Sequence, residues 1–205
     1  MRIERTSVTK LLISDLIATQ HKLDPVTVFL EDLGPNSSGS DPARISHRGK
    51  IIIECYSKSW SAYWGAMVNR TLAQFFCDCS ADYLSGCLSP QLSNSRFSGY
   101  ALVALAKKTI ISRRQGWKNR DHEFSWLDKE QCRRLFDAAD ELNGADTLEQ
   151  AVNWHGELLE EIFETTEPWH YASSATEPNP DYQYLCRIIA AVQEALQADQ
   201  QQAAA

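Results

Sequence analysis

Two β-rich runs joined by a segment unsuited to regular structure confine what this chain can fold into. From Leu23 the sequence reads LDPVTVFLEDLGP, and after a polar stretch it resumes as RGKIIIECYSKSWSAYWG, ending at Gly65. Val26 to Glu31 predicts a strand with Val26, Val28 and Leu30 on one face and Thr27 and Glu31 on the other. Gly34-Pro35 closes it. Residues 34–49, GPNSSGSDPARISHRG, are rich in Gly, Ser, Pro and Asn and predict a long connection without regular structure. Ile51 to Trp60 predicts the next strand. Ile51, Ile53 and Cys55 face one way; Ile52, Glu54, Tyr56 and Trp60 face the other. The period of Val8 to Ile17 suits a strand or a short helix equally. A lone hairpin is marginal in water, so a strand here is preferred as the third member of a sheet.

Everything after this reads as helix. Thr71-Leu-Ala-Gln74 has the spacing of a capping box. Leu72, Phe75, Phe76, Cys79, Tyr83 and Cys87 then recur at helical intervals up to Ser89-Pro90, predicting one helix. Phe97–Arg114 predicts a second. A third runs from Asp128 to Leu142, with Cys132, Leu135, Phe136, Ala139 and Leu142 inward and Asn143-Gly144 as its stop. Thr147–Glu164 is the fourth. Asn179-Pro180-Asp181 opens the fifth, whose apolar stripe is Leu185, Ile188, Ile189, Val192 and Leu196. The class is therefore α+β: an N-terminal antiparallel sheet of about three strands, residues 1–66, and about five helices over residues 67–198 packed on it as one domain. Residues 199–205 are read as a flexible tail.

No apolar run reaches the roughly 18 residues a membrane span needs. The N-terminal MRIERTSVTK lacks the apolar segment of a secretory signal, so the six cysteines are expected as reduced thiols in a cytoplasm. The net charge of −7 hides an asymmetry: residues 1–120 carry 16 Lys and Arg against 9 Asp and Glu, and residues 121–205 carry 4 against 18. Two readings follow, a charged surface on each side for partners or two halves that neutralise each other.

The residues with chemical potential are few. Cys77, Cys79 and Cys87 lack a second C-x2–4-C pair, and on one helix Cys77 and Cys79 would point apart, so no metal site is expected. His155-Gly-Glu157 has the H-x-E half of a zinc deaminase signature without the P-C-x-x-C half, and His155 falls on the apolar face with Val152, Leu159 and Ile162. Asp32 and Glu54 could meet as a carboxylate pair across strands, but exposed strand carboxylates are far commoner than dyads. Phosphate-binding, dinucleotide, nucleophile-elbow and zincin motifs are absent, and neither a catalytic residue nor a cofactor is expected.

Two charged constellations remain. Lys107, Lys108, Arg113, Arg114, Lys118 and Arg120 follow one another with no acid between them and with Trp117 among them. Cations supply phosphate affinity and an aromatic can stack on a base, so nucleic acid is one possible partner; a solvated helix end is the plain alternative. Opposite in sign, Asn153, Glu157, Glu160, Glu161 and Glu164 form one ridge of a helix, with Glu149 and Glu167 nearby. Carboxylates in a row can imitate a phosphate backbone and occupy a basic groove, or can be an ordinary solvated face. Tyr56, Trp60, Tyr63 and Trp64 crowd the end of the third predicted strand. Such rings pack sheets against helices by default; Trp64, beside Gly65, is the one read as a partner-binding anchor.

LDPVTVFLEDLGP, GKIIIECYSKSWSAYWGAM and DYQYLCRIIAAVQEAL resemble a family of small proteins from bacteriophages and prophages of enteric and related bacteria. The resemblance spans the N-terminal strands and the last helix, with the turn before Gly49-Lys50 expanded here into residues 36–48. That family offers no functional residues to carry over. It implies an accessory product of a mobile element acting in the host cytoplasm. Joined to the acidic ridge, it leads to a non-enzymatic, anti-CRISPR-like inhibitor or modulator of a host nucleic-acid-handling complex with a basic groove, without a membrane role. The alternative is a small nucleic-acid-binding factor using residues 107–120.

Overall fold

The computed structural model describes residues 6–14, 17–18, 21–22, 24–35, 46–116 and 125–204. In chain order its elements are β1 (Thr9–Ile13), β2 (Ile17–Ala18), β3 (His21–Lys22), β4 (Val26–Pro35), β5 (His47–Cys55), β6 (Lys58–Trp64), α1 (Leu72–Asp78), α2 (Ala81–Leu88), β7 (Ser95–Phe97), α3 (Gly99–Gln115), α4 (Lys129–Ala138), a 3-10 helix (Ala139–Gly144), α5 (Leu148–Phe163), α6 (Trp169–Ala172), β8 (Thr176–Pro178) and α7 (Pro180–Ala204). The α+β class holds. Among the described residues the main sheet has four strands rather than three, and seven α-helices stand where five were expected. They group into two compact units, Met1–Ser93 with Pro180–Ala205, and Asn94–Asn179.

In the first unit the sheet order is β1-β4-β5-β6, antiparallel throughout. Strand alternation sends Val26, Val28, Leu30, Ile51, Ile53 and Cys55 into the core, as the sequence predicts. Against this face pack α1, α2 and α7, the last through Leu185, Ile188, Ile189, Val192 and Leu196. Burying each of these five stabilises the unit by about 1.5–3 kcal/mol. At the close approach of α1 to β5, a side chain on Gly49 would meet Met67 Cε at 2.9 Å and Leu72 Cβ at 3.1 Å. α7 continues through residues 199–204, which the sequence reading assigns to the tail.

Three expectations need correction here. The strand predicted over Ile51–Trp60 is a hairpin: Cys55 pairs with Lys58 across a two-residue turn at Tyr56 and Ser57. Such turns require a left-handed residue, and Tyr56 supplies it at φ 54°. Tyr56 is therefore 87% exposed, while Trp60 joins Ile53 on the buried face rather than Tyr56 on the other. The long connection is shorter than 34–49, because the ladder continues to Pro35 opposite His47; residues 36–45 lie outside the described residues. The helix predicted from Thr71 to Ser89 is two. Cys79 is extended at ψ 149°, and Ser80 starts α2 by accepting the Tyr83 N–H, while the Thr71–Gln74 capping box opens α1 as read. Cys79 thus lies outside a helix, and the opposed-thiol geometry invoked for it does not apply.

The second unit holds α3 to α6, the 3-10 helix and the β7–β8 ribbon around Leu102, Ala106, Ile110, Leu135, Leu142, Leu159, Ile162 and Phe163. Ser98, Asp128 and Thr147 cap α3, α4 and α5. Gly99 is held against the carbonyls of Ala145, Asn143 and Leu142, which a Cβ would meet at 2.7–2.9 Å. α5 is kinked at His155, whose φ −129° and ψ 23° leave the helical region.

Candidate interaction surface

The acidic ridge and the basic run both belong to the second unit, and the structure treats their members unequally. Arg113, in the last turn of α3, is 5% exposed. Its Nη1 donates to the carbonyls of Glu161 at 2.6 Å and Ile162 at 2.9 Å, and its Nε to the carbonyl of Ser125 at 3.1 Å. Those first two acceptors are orphan carbonyls at the end of α5, so the guanidinium serves as a C-terminal cap from another helix. Glu164 lies 3.8 Å from the same group. Its carboxylate accepts the Ser125 backbone N–H at 2.5 Å and the Ser125 hydroxyl. Those two hydrogen bonds, with the Arg113 charge adding to them, hold the Glu164 carboxyl below its usual value.

Its neighbours are also engaged. Lys107 donates to Asp140 at 2.6 Å and lies 4.6 Å from the centre of the Phe136 ring. Arg114 donates to the Leu127 carbonyl at 3.3 Å and sits over Trp126. Arg134 pairs with Glu161, which raises the arginine's pKa. Within this unit, then, Arg96, Lys107, Arg113 and Arg134 each pair with a carboxylate. Of the predicted nucleic-acid residues, Lys108 alone among those described is exposed and free of a partner; Trp117, Lys118 and Arg120 lie outside the described residues.

Of the acidic residues, Glu161 and Glu164 are committed to Arg134, Ser125 and Arg113. Glu157 and Glu160 are exposed, and neither has a partner among the described residues. On the same exposed side of α5 stand Asn153 and Trp154, the latter 62% exposed. Trp154 stands just before the His155 kink and Glu157 two residues after it. The sequence reading missed Trp154, although its i−3 spacing from Glu157 was there to be counted. Trp64 is not an exposed anchor. It is 7% exposed in the core of the first unit, its ring against Phe75 and Phe76.

Asp32 and Glu54 do not form a dyad. Thr27 opposes Glu54 and Asp32 opposes Gly49, which separates them by about 17 Å along the sheet. The Asp32 carboxylate instead accepts the Leu72 N–H at 2.8 Å, at the start of α1. His155 is half-buried.

Glu164→Gln provides a pH test of this node. At neutral pH it is expected to cost about 1 kcal/mol, the worth of a charge-assisted hydrogen bond discounted for solvent screening. The folded chain binds this proton less tightly than the unfolded one. The contribution is therefore full above the ordinary carboxyl value near 4.5 and is lost as pH falls through the lowered folded value. Thermal melts of wild type and variant should converge in acid. A gap that stays constant from pH 7 to acid would reject the assignment.

A family model described as a phage family matches residues 1–198. No curated protein matches the chain. No solved structure matches it. No helix among the described residues is long and apolar enough to cross a membrane.

Proposed function

Because the chain belongs to a phage protein family, we propose that it is a phage-encoded, non-enzymatic binding protein of the host cytoplasm. It inhibits or modulates a host complex that handles nucleic acid, in the manner of an anti-defence or anti-CRISPR factor, by presenting carboxylates to a basic groove. The observation that carries this reading is α5, which exposes Trp154 together with the unpartnered Glu157 and Glu160. An exposed tryptophan on a helix that also presents free carboxylates has the make-up of an interface hot spot: the ring supplies buried area and the acids supply orientation and association rate. Glu161 and Glu164 support the face from behind, through Arg134, Ser125 and Arg113, rather than meeting a partner themselves.

The alternative, a small nucleic-acid-binding factor using residues 107–120, has less to draw on. Lys107, Arg113 and Arg114 spend their donors inside the unit, which leaves Lys108 among the described cations of that segment.

The test begins with a host partner identified by pull-down and mass spectrometry, whose affinity for the purified chain is then measured. Trp154→Ala should cost about 2 kcal/mol of binding or more while leaving the melting temperature unchanged. Glu157→Gln with Glu160→Gln should weaken binding and flatten its dependence on salt. If both variants bind like wild type at low and high salt, the α5 face is not the docking surface.

A further inference from the structure

We propose that the exposed edge of β6 pairs with the β6 edge of a second copy of this chain, so that the dimer carries one continuous sheet with four strands from each copy. The two-residue turn fixes which groups are free. In a hairpin of that length Cys55 and Lys58 exchange hydrogen bonds, and so do Ile53 with Trp60, Ile51 with Ala62 and Gly49 with Trp64. The N–H and C=O groups of Ser59, Ser61 and Tyr63 therefore point away from β5. Among the described residues no backbone or side-chain group meets them. All three residues are exposed.

Natural sheets guard such edges with charges, proline, bulges or short strands. β6 has seven residues, and from Ser59 to Trp64 it carries neither a charge nor a proline. The opposite edge differs: β1 has five residues and presents Lys10. One guarded and one unguarded edge give a closed pair rather than an open filament.

The occupant follows from the strand's own complementarity. A two-fold axis through Ser61 sets Ser61 opposite Ser61, Ser59 opposite Tyr63, Trp60 opposite Ala62, and Lys58 opposite Trp64. No like charges meet, because the two Lys58 residues fall at opposite ends of the pairing. Such an axis stands perpendicular to the sheet, so the core faces of both copies stay on one side. It also brings the α2 helices, which pack on β6, towards each other with Tyr83 half exposed between them. One strand pair buries less than a typical stable interface, so the association depends on concentration.

Light scattering or sedimentation of the full chain over about 1–100 µM tests the proposal. The mass should rise from 23.2 kDa towards twice that value. Ser61→Pro removes an N–H that β5 does not use, leaving the β5–β6 ladder whole while deleting a central hydrogen bond from each copy. It should raise the dissociation constant at least about tenfold. Ser61→Lys places two cations at the axis and should weaken the dimer as well, and circular dichroism with melting confirms that each variant is folded. A wild-type chain that stays monomeric at the top concentration overturns the proposal. So does a dimer that folded Ser61→Lys keeps at wild-type affinity.

Discussion

Trp64→Ala is expected to destabilise the first unit by about 3–5 kcal/mol, the usual cost of emptying a buried aromatic site. The ring centre lies 5.5 Å from that of Phe75 and 6.4 Å from that of Phe76, and the indole N–H donates to the Tyr83 hydroxyl at 3.2 Å. Removal therefore leaves a cavity between β6 and the helices above it and strips Tyr83 of a donor. Trp64→Phe keeps most of the volume and loses the hydrogen bond, so about 1–2 kcal/mol is expected. Equilibrium urea unfolding separates the two. An alanine variant with the wild-type midpoint would return Trp64 to the surface. The same measurement guards against a false reading of binding, because a partner lost together with the fold says nothing about contact.

Arg113→Ala should cost about 3 kcal/mol, although charge pattern alone places this residue among surface cations. The loss has several sources: the carbonyls of Glu161, Ile162 and Ser125 lose their donor, and Glu164 loses a nearby positive charge. Arg113→Lys should recover little, because an ammonium cannot reproduce the fork that reaches two carbonyls and a third at once. Hydrogen exchange should show the end of α5 opening first. A residue that instead gripped phosphate would give the opposite pattern, with melting unchanged and nucleic-acid affinity lost.

Periodicity made much of this architecture readable. The inward faces of β4 and β5, the stripe on α7 and the capping box at Thr71 are all spacing signals, and each has its predicted place. The failures share a cause: the sequence lacks the residues that usually mark the event. Hairpin turns are announced by Asn-Gly or Asp-Gly, whereas this one uses Tyr56-Ser57 inside a run without Gly, Pro, Asn or Asp. The break between α1 and α2 is marked only by Ser80, which sits within a helical repeat that continues on both sides. In the candidate surface, the acidic ridge was legible from spacing. Which of its members were already spent was not, because Arg134, Ser125 and Arg113 reach it from other elements. Among the described residues of the second unit four cations pair with carboxylates, and Glu157 and Glu160 are among the acids left exposed without a partner.

The return of α7 to the sheet has a consequence on the ribosome. The sheet is translated first, yet Leu185, Ile188, Ile189, Val192 and Leu196, which complete its core, are translated last. Residues 94–179, contiguous in sequence, have all their core side chains in hand before α7 is made. Elongation at about 5–20 residues per second makes the 25 residues of α7 in roughly 1–5 s. Through that interval, and through the synthesis of residues 65–179 before it, the nascent strands must wait with Val28, Ile51 and Ile53 unshielded by α7. A newly made chain is thus most open to chaperones and proteases through the strands of its first unit.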